Sequence, residues 1–499
     1  MIGGSACSGN HRRFDRLPAF PRIAAIILKE LPRFWLFFPL LALYLPGLGS
    51  AGFLAPDEPR YASIGRQMAR THDFITPVLD GTPWFEKPPL LYWMIALGRM
   101  TRLPDEWAAR LPVALLSIAF IVFFFHLIAR EFSPRMAIAA STILATSAGW
   151  LAYSYIAVTD LPMAVFFTAA MLLALFGEVL PGRRTHGFIA GVLLGLAILA
   201  KAFVPVVLFV PAFLIARGKR LAILAGCVAA AAPWHLLCWA KNGNAFWRDY
   251  FWKQQVLRFF SPELQHVQPF WFYVPILLGG LFPWTPLAGL LARKKLWDDV
   301  GLRFFAVWLL FAFAFFSIAK NKLPGYALPL LPPLAILLAA GIEKAGAAAK
   351  WWLASTMLLL LLLPMISAAL PGALLSGFRR ARFAAFPALP FLIAAAAVWW
   401  LFWMEKPNLS MIAAGIAVLF GVMYLKGTTL PALDRQVSIR AFWREHRAEI
   451  DNACVEPDVR REWVYGLNYY AGRRLPICGE SAAPYAISAE LAIQPGDQR

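Results

Sequence analysis

Long apolar blocks, separated by short polar loops, fill most of this chain of 499 residues. They fall at 34–50, 108–130, 135–152, 160–178, 187–201, 203–216, 220–240, 270–292, 303–319, 326–342, 350–370, 383–403 and 408–426. A helix needs about 20 apolar residues to cross a hydrocarbon core of roughly 30 Å, and most blocks approach that length. Lipid admits only helices or closed barrels, and these runs are too long and too uniformly apolar for barrel strands. The pattern predicts an all-α polytopic membrane protein with about thirteen transmembrane helices. The blocks at 187–201 and 203–216 are short and also read as one kinked pair, because Lys201 and Pro205 interrupt the run.

Composition agrees with the pattern. Hydrophobic residues make up 60% of the chain and charged residues 15%, against about 25% charged in soluble domains. The net charge of +19 does not indicate nucleic-acid binding, since no basic domain stands apart from the apolar blocks. Lys and Arg instead collect in alternate loops, as cytoplasmic loops do. "AREFSPR", "EVLPGRRTH", "ARGKR", "ARKKLWDDVGLR", "EKAGAAAK" and "MEKPN" are assigned to the cytoplasm with the basic N-terminus. One basic loop, "SGFRRARF" at 376–383, falls on the outer side in this count. Residues 1–33 are too long and polar for a signal-peptide n-region, so "RFWLFFPLLALYLPGL" is expected to stay as an anchor.

These readings divide the chain into three parts. Residues 1–33 form a basic cytoplasmic N-terminus, 34–426 a transmembrane domain that includes an outer loop at 51–107, and 427–499 a small outer domain. That tail is read as α/β, with "EWVYGL" as its strand-like segment. It holds Cys454 and Cys478, which an oxidising compartment could join.

Charge beside a membrane needs a reason, and the outer segments hold most of it. In "APDEPRYASIGRQM", Tyr61, Ile64 and Met68 recur at helical spacing and predict an amphipathic helix lying on the membrane surface. Asp57 reads as its N-cap, a role compatible with facing a cavity as a base. Glu58 reads as a first-turn acid favoured by the helix dipole. In "GTPWFEKPPLLYW", prolines hold Glu86 and Lys87 among aromatic residues; the alternatives are an interfacial belt and a lysine placed for a phosphate. Asp160 opens a span in "YIAVTDLPMAV", and Lys201 interrupts "LAILAKAFVPV". Both are functional candidates by depth, against an N-cap for Asp160 and snorkelling for Lys201. The aromatic segment from 241 holds Arg258, which suits an anionic head group, and His266, a weak metal signal alone. Lys320, Lys322 and Tyr326 follow in "AKNKLPGYALPLLPP". Cations there would stabilise a leaving phosphate while a carboxylate orients or deprotonates an acceptor.

"DEPRYASIGRQMARTHDFITPVLDGTPWFEKPPLLYW" resembles the first outer loop of the bacterial aminoarabinose transferases that modify lipid A. Those enzymes belong with the dolichyl-phosphate-mannose protein mannosyltransferase-like proteins in the C-type glycosyltransferase superfamily. The resemblance recurs in order in "VTDLPMA", "GLAILAKAFVP", "FWRDYFWKQQVLRF", "QHVQPFWFYVPILLGGLFPW" and "NKLPGYALPLLPPLA", between about residues 34 and 345. It implies the C-type glycosyltransferase fold, with outer-face amphipathic helices and a periplasmic C-terminal domain. The implied activity is inverting transfer of a sugar from undecaprenyl phosphate to an envelope acceptor, at the periplasmic face of the bacterial inner membrane. By this resemblance Asp57 is the principal catalytic acid and Asp160 a second one. Lys87 meets the lipid phosphate, with Arg258, Tyr326, Lys201 and Lys322 around it. Glu86 and His266 fall where family members can bind a divalent metal ion, which is not expected to be required.

The expected partners are a polyprenyl-phosphate sugar, membrane lipids and an acceptor, lipid A first and protein second. The tail beyond 427 is short beside many aminoarabinose transferases, and 346–426 carries no matching motif. A transporter of lipid-linked sugars is the alternative from another class. Paired broken helices would favour it, and the sequence shows no such pairing.

Overall fold

In the computed structural model, residues 37–176, 183–257, 267–376, 389–480 and 483–496 are described. Helices dominate. Among the described residues five are long and apolar enough to cross a membrane: Asp105–Glu131, Arg217–Gln254, Val300–Ile318, Pro324–Leu375 and Asn408–Gln436. Counting each bent pair as one span gives up to 7. Shorter apolar helices, such as Asp160–Leu175 and Val204–Ile215, occupy the remaining described blocks. The first block contributes only Phe37–Tyr44. Large apolar side chains such as Leu221, Phe420 and Ile318 stand exposed on the outside, where lipid replaces water. The protein is a multi-pass integral membrane protein. The basic residues 1–33 and the loop at 377–383 lie outside the described residues.

Two spans are broken. Pro134–Thr146 and Ala148–Tyr155 meet at 56°, and Phe270–Gly280 and Thr285–Ala292 at 116°. The backbone N–H of Ala148 donates to Phe282 O at 2.8 Å, so the two breaks face each other. Irregular backbone survives at membrane depth where protein buries it or where it lines a cavity, and both breaks open onto the large cavity described below. The 187–201 and 203–216 blocks are two helices, parted by Ala202 in the left-handed region at φ 59°.

The spacing of Tyr61, Ile64 and Met68 gives a helix over Asp57–Thr71, and these residues are buried against protein. Burying an Ile or Met side chain is worth about 1.5–3 kcal/mol, enough to pin a helix whose outer face is polar. The helix packs against Leu90–Met100. It stops at His72, whose left-handed backbone (φ 55°) returns its N–H to Met68 O. The N-cap assignment of Asp57 is wrong: Pro56 precedes the first turn, and no side chain caps it. Asp160 likewise is the first residue of its helix after Thr159, without a capping bond.

Glu58 is a first-turn acid, as read from the sequence, and it has a further role. It is fully buried and paired with Arg110 of the Asp105–Glu131 helix. Arg110 donates to both Glu58 oxygens (2.7 and 2.8 Å) and to Leu48 O, Ala51 O and Gly52 O (2.7–2.8 Å). That uses all five guanidinium N–H groups. Glu58 also accepts from the backbone of Leu54 (2.8 Å) and Ala157 (2.9 Å).

The tail begins after the Pro407–Gln436 helix. Its sheet has three strands in the order Ala453–Val455, Tyr485–Ile487, Ile493–Pro495, parallel then antiparallel. The strand reading of "EWVYGL" fails, because those residues lie in the helix Arg461–Ala471. Its i, i+4 pattern of Trp463, Leu467 and Ala471 turns one face to the tail's small core. Cys454 and Cys478 form a disulfide. Arg440 bridges Glu106 (3.1 Å) and Asp434 (2.9 Å) and donates to Gly49 O (3.0 Å). Tyr470 donates to Glu106 at 2.8 Å and accepts from the Phe53 N–H. The tail is thereby clamped to residues 49–53.

Removing one member of a buried ion pair strands the other, at about 3–5 kcal/mol. Arg110→Met and Glu58→Leu are each expected to lower the detergent-solubilised melting temperature sharply. Arg70→Gln, at an exposed position, should leave it within about 1 °C, since surface substitutions change stability by roughly 0.5 kcal/mol or less. Unfolding followed by tryptophan fluorescence reads both.

Candidate active site

Asp57 and Asp160 line one cavity of about 770 Å³. Tyr153 and Lys426 line it too, and the rest of the wall is mainly apolar, from helices 363–376 and 407–436 and the two helix breaks. Carboxylates therefore stand at the edge of a space that would otherwise suit hydrocarbon.

Two ion-pair clusters flank the cavity. In the first, Arg60 bridges Asp57, three residues back on the same helix, and Glu86 at 3.0 Å. Glu86 in turn lies 3.5 Å from Lys87. The "DEPR" and "FEKPP" motifs thus meet as one alternating chain of four charges. Arg60 also lies over the Trp84 and Tyr465 rings, at 5.6 and 5.1 Å, which fixes its plane. The Asp57 side chain keeps 40% of its exposure and Arg60 only 6%. Asp57 is the accessible end of a buried network.

In the second cluster Asp160 pairs with Lys201. The Lys201 ammonium sits 4.3 Å from the centre of the Tyr326 ring. Lys201 neither snorkels nor stands alone; it joins two motifs far apart in sequence. Gly325 permits this packing, since a Cβ there would lie 2.1 Å from Asp160 Oδ1 and 2.9 Å from the Tyr153 ring.

The other expected residues divide. Lys87, Lys201 and Tyr326 stand beside the acids and do not line the cavity itself. Lys322 is turned inward, donating its ammonium to Gln268 O (2.9 Å) and Ala319 O, which makes it a loop tie. Arg258 and His266 lie outside the described residues. Among the described residues no three His, Cys, Asp or Glu side chains come together as metal ligands. Glu86 faces two cations, Arg60 and Lys87, and the metal pairing of Glu86 with His266 falls partly outside the described residues. Arg60, Arg110, Tyr153 and Lys426 escaped the sequence reading. An arginine inside an apolar span, as in "AARLPVALL", is the signal that marks Arg110. Arg60 is the i+3 neighbour of Asp57.

Three comparisons bear on this arrangement. Residues 86–239 match the family model of dolichyl-phosphate-mannose-protein mannosyltransferase. The chain is 34% identical over 322 residues to undecaprenyl phosphate-alpha-4-amino-4-deoxy-L-arabinose arabinosyl transferase of Pseudomonas aeruginosa (strain UCBPP-PA14), covering 60% of this chain and 58% of that protein. It is 36% identical over 313 residues to the protein of that name from Edwardsiella ictaluri, covering 58% and 55%. The chain thus spans under three-fifths of the length of these curated relatives. The crystal structure of ArnT from Cupriavidus metallidurans bound to undecaprenyl phosphate superposes with a TM-score of 0.71 at 21% identity, covering 93% of this chain and 87% of that one. The chain has the ArnT fold. The arabinosyltransferase EmbB of Mycobacterium smegmatis is a more distant match, with a TM-score of 0.51 at 13% identity, over 93% of this chain and 44% of that one. The resemblance drawn from the motifs holds in these matches.

Gly325→Ala is expected to fold, because the clashing atoms are side-chain ends, the Asp160 carboxylate and the edge of the Tyr153 ring, and not backbone. It should push Asp160 off Lys201 and lower turnover by about 10²-fold, the cost of a displacement near 1 Å at a reacting centre. Asp160→Asn measured beside it should show a loss of the same order, by initial rates on matched protein amounts.

Proposed function

We propose that this protein is an integral membrane glycosyltransferase that moves 4-amino-4-deoxy-L-arabinose from undecaprenyl phosphate to lipid A, with inversion. The observation that carries the reading is the pair Asp57 and Asp160 at the edge of an apolar cavity, in a chain with the ArnT fold. The motif resemblance and the 34% identity to an arabinosyl transferase support the choice of donor and sugar. On this reading the bundle crosses the bacterial inner membrane about thirteen times. The loop at 51–107 and the tail at 427–499 face the periplasm, and 1–33 the cytoplasm.

The step is a single displacement. An acceptor oxygen attacks the anomeric carbon, the bond from that carbon to the donor phosphate oxygen breaks, and undecaprenyl phosphate leaves with the electron pair. Asp57 orients the acceptor and takes its proton when the nucleophile is a hydroxyl. Arg60 holds Asp57 aimed, from a position fixed by Glu86 and two aromatic rings. Lys87, Arg258 and Tyr326 meet the donor phosphate and stabilise charge on it as it leaves. Asp160, anchored by Lys201, orients the acceptor from the other side. The apolar wall holds lipid chain and keeps water from the anomeric carbon.

The facing helix breaks also suit a transporter of lipid-linked sugars. The ArnT fold and the two carboxylates at the cavity edge favour transfer.

Purified protein in nanodiscs with undecaprenyl-phosphate-linked aminoarabinose should add the corresponding mass to lipid A. Asp57→Asn should slow transfer by about 10²–10⁴-fold, as loss of a general base or positioning group does, with undecaprenyl phosphate binding retained. Unmodified lipid A, together with movement of the labelled donor across a vesicle membrane, would hand the site to the transporter reading.

A further inference from the structure

A second pocket, of about 300 Å³, lies between the surface helix and the tail. Ser63, Arg66, Gln67 and Arg70 line it from one face of the Asp57–Thr71 helix, at spacings of three and four residues. Arg473 and Arg474 line it from the tail, just after the helix Arg461–Ala471. Its acidic member is Asp80, on the turn joining Val78–Leu79 to Thr82–Pro83. Asp80 and Gly81 both have positive φ (50° and 83°), as an Asp-Gly hairpin turn requires. Four guanidinium groups thus face one carboxylate.

The positive charge is not neutralised internally. Among the described residues none of the four arginines forms a salt bridge. Arg66 is oriented by the protein: it donates to Tyr469 O at 2.8 Å and lies 3.9 Å from the centre of the Tyr469 ring. Arg473 donates to Asp451 O. Asp80 is occupied by the Asn468 side-chain amide at 3.3 Å. Burial raises the Asp80 carboxyl above its ordinary range, against the opposing pull of Asn468, Arg474 and Arg66. Burial lowers the Arg66 guanidinium, and the charge of Arg70 adds to that. The pocket keeps like charges together at a cost, which an anion would relieve. Arginine forks match the oxygens of phosphate in geometry as well as charge.

Position narrows the ligand further. At 1.5 Å per residue, Arg66 lies about 14 Å and Arg70 about 20 Å along the helix from Asp57. That is too far for the reacting group. It suits a second charged end of a molecule whose first end reaches the cavity. We propose that this pocket binds a phosphate-bearing part of the acceptor headgroup, so that the surface helix and the tail measure the acceptor between them. The inference rests on the transfer reading above for the acceptor's identity, and on the pocket alone for its charge.

The test uses the full chain in nanodiscs and reads binding, not only turnover. The probes are bis-phosphorylated lipid A, chemically dephosphorylated lipid A and inorganic pyrophosphate. The variant is Arg70→Gln with Arg474→Gln, both exposed, checked for unchanged melting temperature and unchanged undecaprenyl phosphate affinity. The expected result is at least ten-fold weaker binding of phosphorylated lipid A, no change for the dephosphorylated form, and a raised acceptor KM with kcat within about two-fold. Restoring charge with Arg70→Lys and Arg474→Lys should recover part of the loss. Equal affinity of variant and wild type for phosphorylated lipid A overturns the proposal. Pyrophosphate binding the wild type as tightly as the glycolipid overturns the acceptor assignment and leaves a free-phosphate site. Wild-type protein that binds phosphorylated lipid A through the pocket yet transfers no sugar to it sinks the transfer reading and leaves the pocket standing.

Discussion

Arg110 and Glu58 form a pair with no spare capacity. Five guanidinium donors meet three carbonyl oxygens and one carboxylate, and that carboxylate also accepts two backbone N–H groups. Both side chains are fully buried, where an unpaired charge is prohibitive. The consequence is geometric. The carbonyls come from residues 48–52, the turn that feeds the surface helix. One N–H comes from Ala157, three residues before Asp160. A single buried pair therefore sets the approach to both acids of the cavity. Asp57 can stay accessible because its neighbour Glu58 is immobile.

The tail reinforces the same turn from the other side. Arg440 takes the carbonyl of Gly49, Asp434 accepts from the Gly52 N–H at 2.7 Å, and the Tyr470 hydroxyl accepts from Phe53. Residues 48–54 are thus held between a span and the tail. This gives the tail a physical connection to the first acid. A change in the tail that moves Arg440 reaches Asp57 through a turn of about eight residues.

The sequence carries the parts of this arrangement that are local. Apolar blocks locate the described helices, because lipid leaves one solution for each block. The period of Tyr61, Ile64 and Met68 is enough for the surface helix. Two aspartates beside a membrane are visible as anomalies. What is not visible is which neighbour each charge finds. Glu58 and Arg110 are 52 positions apart, Asp160 and Lys201 41 apart, and Arg60 and Glu86 26 apart. Nothing local distinguishes Glu58, which is buried, from Asp57, which is open. The capping readings failed for the same reason. Asp57 and Asp160 are good caps in isolation, but a cation sits within reach of each, Arg60 one helical turn on for Asp57 and Lys201 far along the chain for Asp160, and a charged partner outcompetes a backbone N–H. "EWVYGL" was misread because aromatic and β-branched residues favour strands, while helical burial of Trp463 and Leu467 decides the outcome.

The same reasoning separates the two kinds of charge in this molecule. Charges that find a partner within the chain become structure: Glu58 with Arg110, Arg440 with Glu106 and Asp434, Lys322 with its loop carbonyls. Asp57 and Asp160 are partnered on one side only and open to a cavity on the other, which is the geometry a reacting group needs. The arginines beside Asp80 lack a carboxylate partner of their own on a surface where several other arginines have one. Arg66 and Arg473 also tie backbone of the tail, yet among the described residues none of the four arginines in this pocket has a salt bridge. Their uncompensated charge is what the proposed phosphate-bearing ligand would offset.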